Sequence, residues 1–411
     1  MLFKYLVILL ISPIALYAQI SDAFHIKTVS IKNSNRDFSE TIQPLNSSFS
    51  FSFDDINGYQ DEYYYLITLC EIDWTPSKIP TSYYIDGFNN MQINNMENSF
   101  GTLHNYTHYE FSIPNEDTKI TKSGNYLFQI LNEENEVVCE RKIVLYENKI
   151  SVSVNISESR DLSSFNEKQA VSLVIQNNGL PINFPNSEIQ TFIFQNSDPQ
   201  IRSPFLKPTF TERNTYTYRP SKETEFIAGN EFLNFDNNEI LRNTRYISSS
   251  YREDNYFNTI LFTQKSRANS TYTYNPDING NFVVRNFRSN TPETEAEYSN
   301  VLFTLTNLQE YKDKDIYVYG AFNNYQINDE NKLNLDESGK YLTCSIFLKQ
   351  GFYNYDFVVY DNQKIDKKTI SGSYFETENN YEALVYFQPT NSIYYEVVGY
   401  GIGNSKQQIE N

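Results

Sequence analysis

The chain is poor in the residues that carry most enzyme chemistry. Its 411 residues include only 3 His, 3 Cys, 3 Met and 1 Trp. Three histidines leave few candidates for imidazole acid–base work. The cysteines, Cys70, Cys139 and Cys344, are an odd number and cannot make a full disulfide framework. Each sits among apolar or strand-forming residues, so buried thiols are expected, with a Cys70–Cys139 bridge as the alternative. No G-x-S-x-G, P-loop or H-E-x-x-H pattern occurs. Amphipathic helix patterns are missing. Glycine is scarce at 14 residues, which leaves asparagine to take many positive-φ turn positions. Positive charge is also short: 33 Lys and Arg face 51 Asp and Glu, for a net charge of −18. Such a surface repels nucleic acid and anionic lipid and suits basic or neutral polar partners.

The only long apolar run is Met1–Ala18, which carries Lys4 near its start and ends on a small residue. This is the pattern of a secretory signal peptide. The run falls short of the roughly 20 residues of a transmembrane helix. Cleavage after Ala18 would make Gln19 the first residue, although Leu16 at the −3 position is larger than usual. No cysteine follows the run before Cys70, which argues against a lipid-anchored N-terminus. The remainder is expected to be exported and soluble.

Aromatics are abundant, with 34 Tyr and 30 Phe. A core of Phe, Tyr, Ile, Leu and Val favours strands over helices. Short strand-like runs recur between Asn, Asp, Ser and Gly clusters: Phe49–Phe53, Tyr63–Cys70, Asn125–Leu131, Val137–Leu145, Val152–Ile156, Val171–Ile175, Val301–Leu305, Ile316–Tyr319 and Phe357–Tyr360. Runs of this kind predict an all-β chain of tandem immunoglobulin-like β-sandwich modules. The expected division is a signal peptide at 1–18, a first domain at 19–150, a polar middle domain with long loops at 151–297, a third domain at 298–405 and a polar tail at 406–411. The acidic segment Asn290–Glu297 reads as a linker.

Few residues form a chemical constellation. His104 and His108 lie in a strand-like segment, where a spacing of four places them roughly 13 Å apart, too far to share a zinc. Gly399, Gly401 and Gly403 follow a strand with no helix after them, so a flexible strand end is expected rather than a phosphate loop. The neighbouring acids Asp54–Asp55 and Glu133–Glu134 are of the sort an acidic chain yields by chance. Asp277, Asn279 and Gly280 read as a turn with a faint calcium-loop flavour. Trp74 reads as a core anchor at a strand end.

Longer segments carry a family resemblance. They include Trp74–Thr75, Asp86–Gly87–Phe88, Ser99–Phe100–Gly101, Tyr106–Thr107–His108–Tyr109 and Ser123–Gly124–Asn125–Tyr126. Further on come Gly229–Asn230–Glu231–Phe232, Ile316 to Phe322, Leu348 to Tyr353 and Gly372 to Tyr381. In this order they resemble the plug protein family of the type IX secretion system of Bacteroidota. The pattern departs at Leu233–Asn234, where a basic or aromatic pair is expected.

The resemblance implies a periplasmic, non-enzymatic protein without cofactor, metal or small-molecule substrate. Its partner would be the outer-membrane β-barrel translocon, whose periplasmic opening it would occlude without inserting into the membrane. Size is compatible: the chain without residues 1–18 has a radius of gyration of roughly 21 Å, hence a diameter of about 50–55 Å. The last domain also resembles starch- and glycogen-binding β-sandwich modules. On that reading Tyr325 and Phe322 would stack a sugar, and the protein would be a periplasmic carbohydrate-binding accessory.

Overall fold

A computed structural model describes residues 21–33 and 38–409. The expected signal peptide at 1–18 lies outside the described residues. Strands dominate, and the longest helix described is the five-residue Ser405–Ile409. The all-β expectation is met, and the elements sort into three two-sheet sandwiches.

The first sandwich shows how the sequence makes its strands. In the Phe49–Asp55 strand, FSFSFDD, Phe49, Phe51 and Phe53 alternate inward and are buried, because successive side chains point to opposite faces. This strand lies between Ile26–Asn33 and Thr107–Ile113 in one sheet. The facing sheet runs Ile42–Pro44, Val137–Tyr146, Gly124–Leu131, Tyr64–Cys70 and Met91–Gln92. Phe51 stacks on its cross-strand neighbour Phe111 at 5.3 Å and, across the gap, on Phe128 at 6.3 Å.

The second and third sandwiches are interleaved along the chain. The second pairs a sheet holding Ile150–Glu158 and Lys168–Asn177 with a sheet ordered Ile189–Gln195, Asn380–Phe387, Glu396–Asn404. Its core joins Ile150, Leu173 and Tyr216 to Tyr381, Val385 and Val398. The third lies between these two stretches. Its core runs from Phe235 and Ile247 to Phe357 and Ile370. The eleven-residue Gly351–Asp361 strand organises one of its sheets, pairing with Leu233–Asp236, Phe282–Val284 and Asp315–Tyr319. The division expected at 297 cuts across both cores. Strand pairing joins segments far apart in sequence, which local punctuation does not report.

Two local expectations need correction. Asn290–Glu297 is not a free linker. Pro292–Glu295 is a helical turn, Thr294 and Ala296 are buried, and the segment is hydrogen-bonded to the first sandwich through Phe100 N to Thr294 O at 2.9 Å. The glycines at 399, 401 and 403 are not a flexible end. They lie in the Glu396–Asn404 strand, against Ile150–Glu158. A Cβ would meet Ile150 Cγ1 at 2.6 Å from Gly399, Val152 O at 2.5 Å from Gly401 and Val154 O at 2.8 Å from Gly403. Glycine is required because the Ile150 side chain at Gly399, and the facing backbone at Gly401 and Gly403, occupy the side-chain position.

The cysteines are free and buried, so the Cys70–Cys139 bridge is not formed. Both flank the Gly124–Leu131 strand, but Cys70 pairs with Asn125 and Cys139 with Ile130.

Gly401→Val is expected to destabilise the protein by about 1–3 kcal/mol, the usual cost of overpacking. Urea denaturation of the variant beside the wild type measures it.

Candidate functional site

What distinguishes the molecule is how the three sandwiches are fastened together. At the junction of the first and third, two cross-strand pairs meet. Asp54 lies opposite His108 in the first sandwich, and Tyr298 lies opposite Lys349 in the third. Asp54 is the centre. It accepts from Lys349 Nζ at 2.6 Å, from the Tyr298 hydroxyl at 2.6 Å and from His108 Nδ1 at 2.6 Å. Lys349 also donates to the Glu293 carbonyl and stands 4.1 Å from the Tyr106 ring centroid. The Tyr106 hydroxyl donates to Ala296 O at 2.9 Å, and Thr28 Oγ1 lies 2.6 Å from the Tyr298 hydroxyl.

Side-chain exposure is 0 % for Asp54 and 1 % for Lys349, so both charges are out of water. Burial pushes the Asp54 carboxyl up, but the Lys349 charge and the His108 hydrogen bond outweigh it and hold the group below its ordinary value. On Lys349 burial is the larger effect and lowers the ammonium's pKa despite Asp54. We take the pair as ionised because its hydrogen bonds and the ring face compensate both charges.

The second and third sandwiches are joined by a similar device. Asp198, buried at 0 %, accepts from the Tyr319 hydroxyl at 2.9 Å and from Lys367 Nζ at 3.1 Å. Between the first and second, the Tyr386 hydroxyl donates to Asn125 Oδ1 at 2.8 Å, and Lys149 bridges Glu147 at 2.8 Å and Glu396 at 2.7 Å. Every junction thus contains a partnered polar group that fixes its register.

The residues singled out from sequence fall as follows. Tyr325 is buried, its ring tilted against Tyr319 at 5.2 Å and its hydroxyl donating to Asn196 O at 3.3 Å. It packs where the second and third sandwiches meet and has no open face for a sugar. Phe322 is half-buried, edge-on to Tyr353 at 5.9 Å. It lines a cleft between the first and third sandwiches together with Lys27, Arg141 and Phe347. That cleft offers about 70 Å³, room for a few waters, whereas small-molecule sites run to roughly 300–1,000 Å³.

His104 Nε2 lies 3.1 Å from Ile56 O, away from His108's contact with Asp54. Among the described residues no group of three His, Cys, Asp or Glu side chains gathers as a metal site. Asp277 is a turn anchor: its carboxylate accepts from Phe232 N at 2.6 Å and Asn279 N at 2.7 Å. Burial, aided by the charge of Glu231, pushes this carboxyl up to about 7. Trp74 is half-buried between the first and second sandwiches.

Asp54 is the residue sequence reasoning passed over. The visible signal was an acid on the outward register of an otherwise regular strand. Asp55 points inward and accepts from the Tyr63 hydroxyl at 2.9 Å, so Asp54 points to the other face. That this face is covered by a strand almost three hundred residues on is not written locally.

Comparison with known proteins finds a family domain over part of the chain and solved structures of similar fold. Residues 26–147 match the family model of the type 9 secretion system plug protein 1st domain. The matched stretch is the first sandwich, including Asp54 and His108. A crystal structure of a hypothetical protein from Parabacteroides merdae superposes with a TM-score of 0.89 at 27% identity, covering 94% of this chain and 98% of that one. The three-sandwich architecture is therefore shared over nearly the whole length of both. An alpha-2-macroglobulin from Escherichia coli aligns at 7% identity over 94% of this chain and 31% of its own, with a TM-score of 0.18, and carries no argument. No curated protein matches the chain. No helix among the described residues is long and apolar enough to cross a membrane.

Three outcomes are expected. Lys349→Ala should cost about 3–5 kcal/mol in urea denaturation, the penalty for leaving a buried charge unpaired. The double variant with Asp54→Asn should lose less than the sum of the single losses. The raised carboxyl of Asp277 binds its proton more tightly folded than unfolded. Its contribution is fully present below the ordinary aspartate value of about 4 and fades as pH rises through about 7. Stability measured across that window should fall more steeply in the wild type than in Asp277→Asn.

Proposed function

We propose that the protein is a non-enzymatic plug subunit of the type IX secretion system. It docks from the periplasm on the outer-membrane β-barrel translocon and occludes its opening. The match of residues 26–147 to the plug protein first domain carries this reading. The fastening of the sandwiches supports it physically. A barrel wide enough to pass folded cargo encloses a water-filled lumen. A body that closes such a hole must not flex open at its own seams. Buried pairs such as Asp54–Lys349 and Asp198–Lys367 hold three modules in one arrangement. Export through the signal peptide at 1–18 brings the chain to the periplasm on this reading. No residue is proposed as catalytic, and no cofactor is required.

The carbohydrate-binding alternative draws no support from Tyr325, whose ring is enclosed.

The chain should co-elute with a large outer-membrane barrel protein after extraction in gentle detergent. Deleting its gene should raise outer-membrane permeability to small hydrophilic dyes. Unchanged permeability in the deletion strain overturns the plugging role.

A further inference from the structure

Among the described residues, the buried carboxylate and amide side-chain oxygens that lack a hydrogen-bond partner are Glu231 Oε2, Asn279 Oδ1, Asn281 Oδ1 and Glu297 Oε2. Such atoms are normally satisfied. All but Glu297 belong to one place, where the turn 277–281 packs on the segment 231–232. Asp277 ties the two together, accepting from Phe232 N at 2.6 Å and from Asn279 N at 2.7 Å.

The orphan oxygens face the turn rather than solvent. Asn281 precedes Phe282, whose ring is in the third core, so the Asn281 side chain points away from that core. Asn354, between the core residues Tyr353 and Tyr355, points the same way and donates its N to Asn281 O at 3.0 Å. Asn354 Oδ1 accepts from Ile278 N at 2.6 Å and Gly280 N at 3.3 Å, so the turn is folded over this face. Asn354 Nδ2 has no partner either and does not satisfy the oxygens. Exposure is 2% for Glu231 and 8% for Asn281, which keeps bulk water away.

The balance of charge there is negative. Glu231 Oε1 accepts from the Tyr272 hydroxyl and from Glu378 N at 3.1 Å, which leaves Oε2 over. Burial, the largest effect, pushes both the Asp277 and the Glu231 carboxyls up. Asp277 also feels the Glu231 and Glu378 charges, both unfavourable. Glu231 feels Glu378 against it and Lys406 in its favour, Lys406 being the weaker. The other basic groups nearby are engaged: Arg267 reaches the Glu231 carbonyl at 2.8 Å and pairs with Asp356, and Lys367 pairs with Asp198.

We propose that Glu231 and the turn 277–281 bind a calcium ion. The Asp277 and Glu231 carboxylates balance its two charges, and the Asn279 and Asn281 amide oxygens complete the protein's share of the shell. A set of oxygens alone suits a hard cation, and several amide and carboxylate ligands favour calcium over magnesium, which keeps more of its water. Asp277, Asn279 and Asn281 stand at alternate positions, the spacing at which calcium loops offer ligands. Gly280 lets the turn close, at φ +84°, because a Cβ there would meet Phe232 Cζ at 2.8 Å and the Tyr325 hydroxyl at 2.9 Å. With only two carboxylates, the set does not need a third His, Cys, Asp or Glu. The ion is structural and lies beside Tyr325, at the seam of the second and third sandwiches. The inference does not rest on the plug reading.

The mature chain, stripped of metal with a chelator and dialysed, is titrated calorimetrically with calcium chloride. Saturable binding is expected at roughly 0.1–1 mM, the range of exported calcium modules, with magnesium at least about tenfold weaker. Asp277→Asn keeps an oxygen for Phe232 N but removes a charge, and should weaken calcium at least about tenfold. Asn281→Asp should tighten it, a gain that misfolding cannot mimic. Glu212→Gln, on an exposed strand elsewhere, should change nothing. Calcium should also raise the Tm of the wild type but not of Asp277→Asn. No saturable binding by the wild type overturns the inference and leaves enclosed water as the partner of these oxygens. So does unchanged affinity in Asp277→Asn or in Asn281→Asp, or equal affinity for magnesium.

Discussion

Two charges drawn out of water, Asp54 and Lys349, hold the first sandwich to the third. Asp54, Lys349 and His108 come from strands that pair within their own sheets. Asp54 and His108 already face each other within the first sandwich, and Lys349 reaches Asp54 only when the third is docked. A buried pair of this kind gains little net stability over a well-packed apolar contact. Its value is discrimination. A shift of the junction by one residue would leave a carboxylate or an ammonium buried alone, so the sandwiches have one acceptable register. Asp198 with Lys367 and Tyr319 imposes the same condition between the second and third.

Tyrosine makes these conditions affordable in a chain with so little else to work with. Ten of the twelve largest fully buried side chains are tyrosines, so the abundant residue fills the interior rather than decorating the surface. A buried tyrosine needs a partner for its hydroxyl, and these find one at the seams. Tyr298 donates to Asp54, Tyr319 to Asp198 and Tyr386 to Asn125. The ring packs in one module while the hydroxyl reports on the next. Packing and alignment are therefore set by the same residues.

The interleaving of the second and third sandwiches adds a topological constraint. Because the third is inserted between the two stretches of the second, its ends are tethered at both sides. Segments that looked like connections then became contacts, as Asn290–Glu297 shows by seating Thr294 and Ala296 against the first sandwich. The alternating glycines at 399, 401 and 403 serve the same end, letting one strand approach another at backbone distance.

The class of fold was legible in the amino-acid order. Alternation such as FSFSF and the shortage of helix patterns fix strand geometry locally, since a strand's side-chain period is two. The fate of the cysteines was legible too, because each thiol lies within an apolar strand. Tertiary structure alone decided which strands share a sheet, since Ile189–Gln195 finds its partner in Asn380–Phe387, across an entire inserted sandwich. It also decided that Asp54 is an interior charge and that Tyr325 faces inward. A side chain's exposure depends on what arrives from elsewhere in the chain, and no local pattern of residues encodes that arrival.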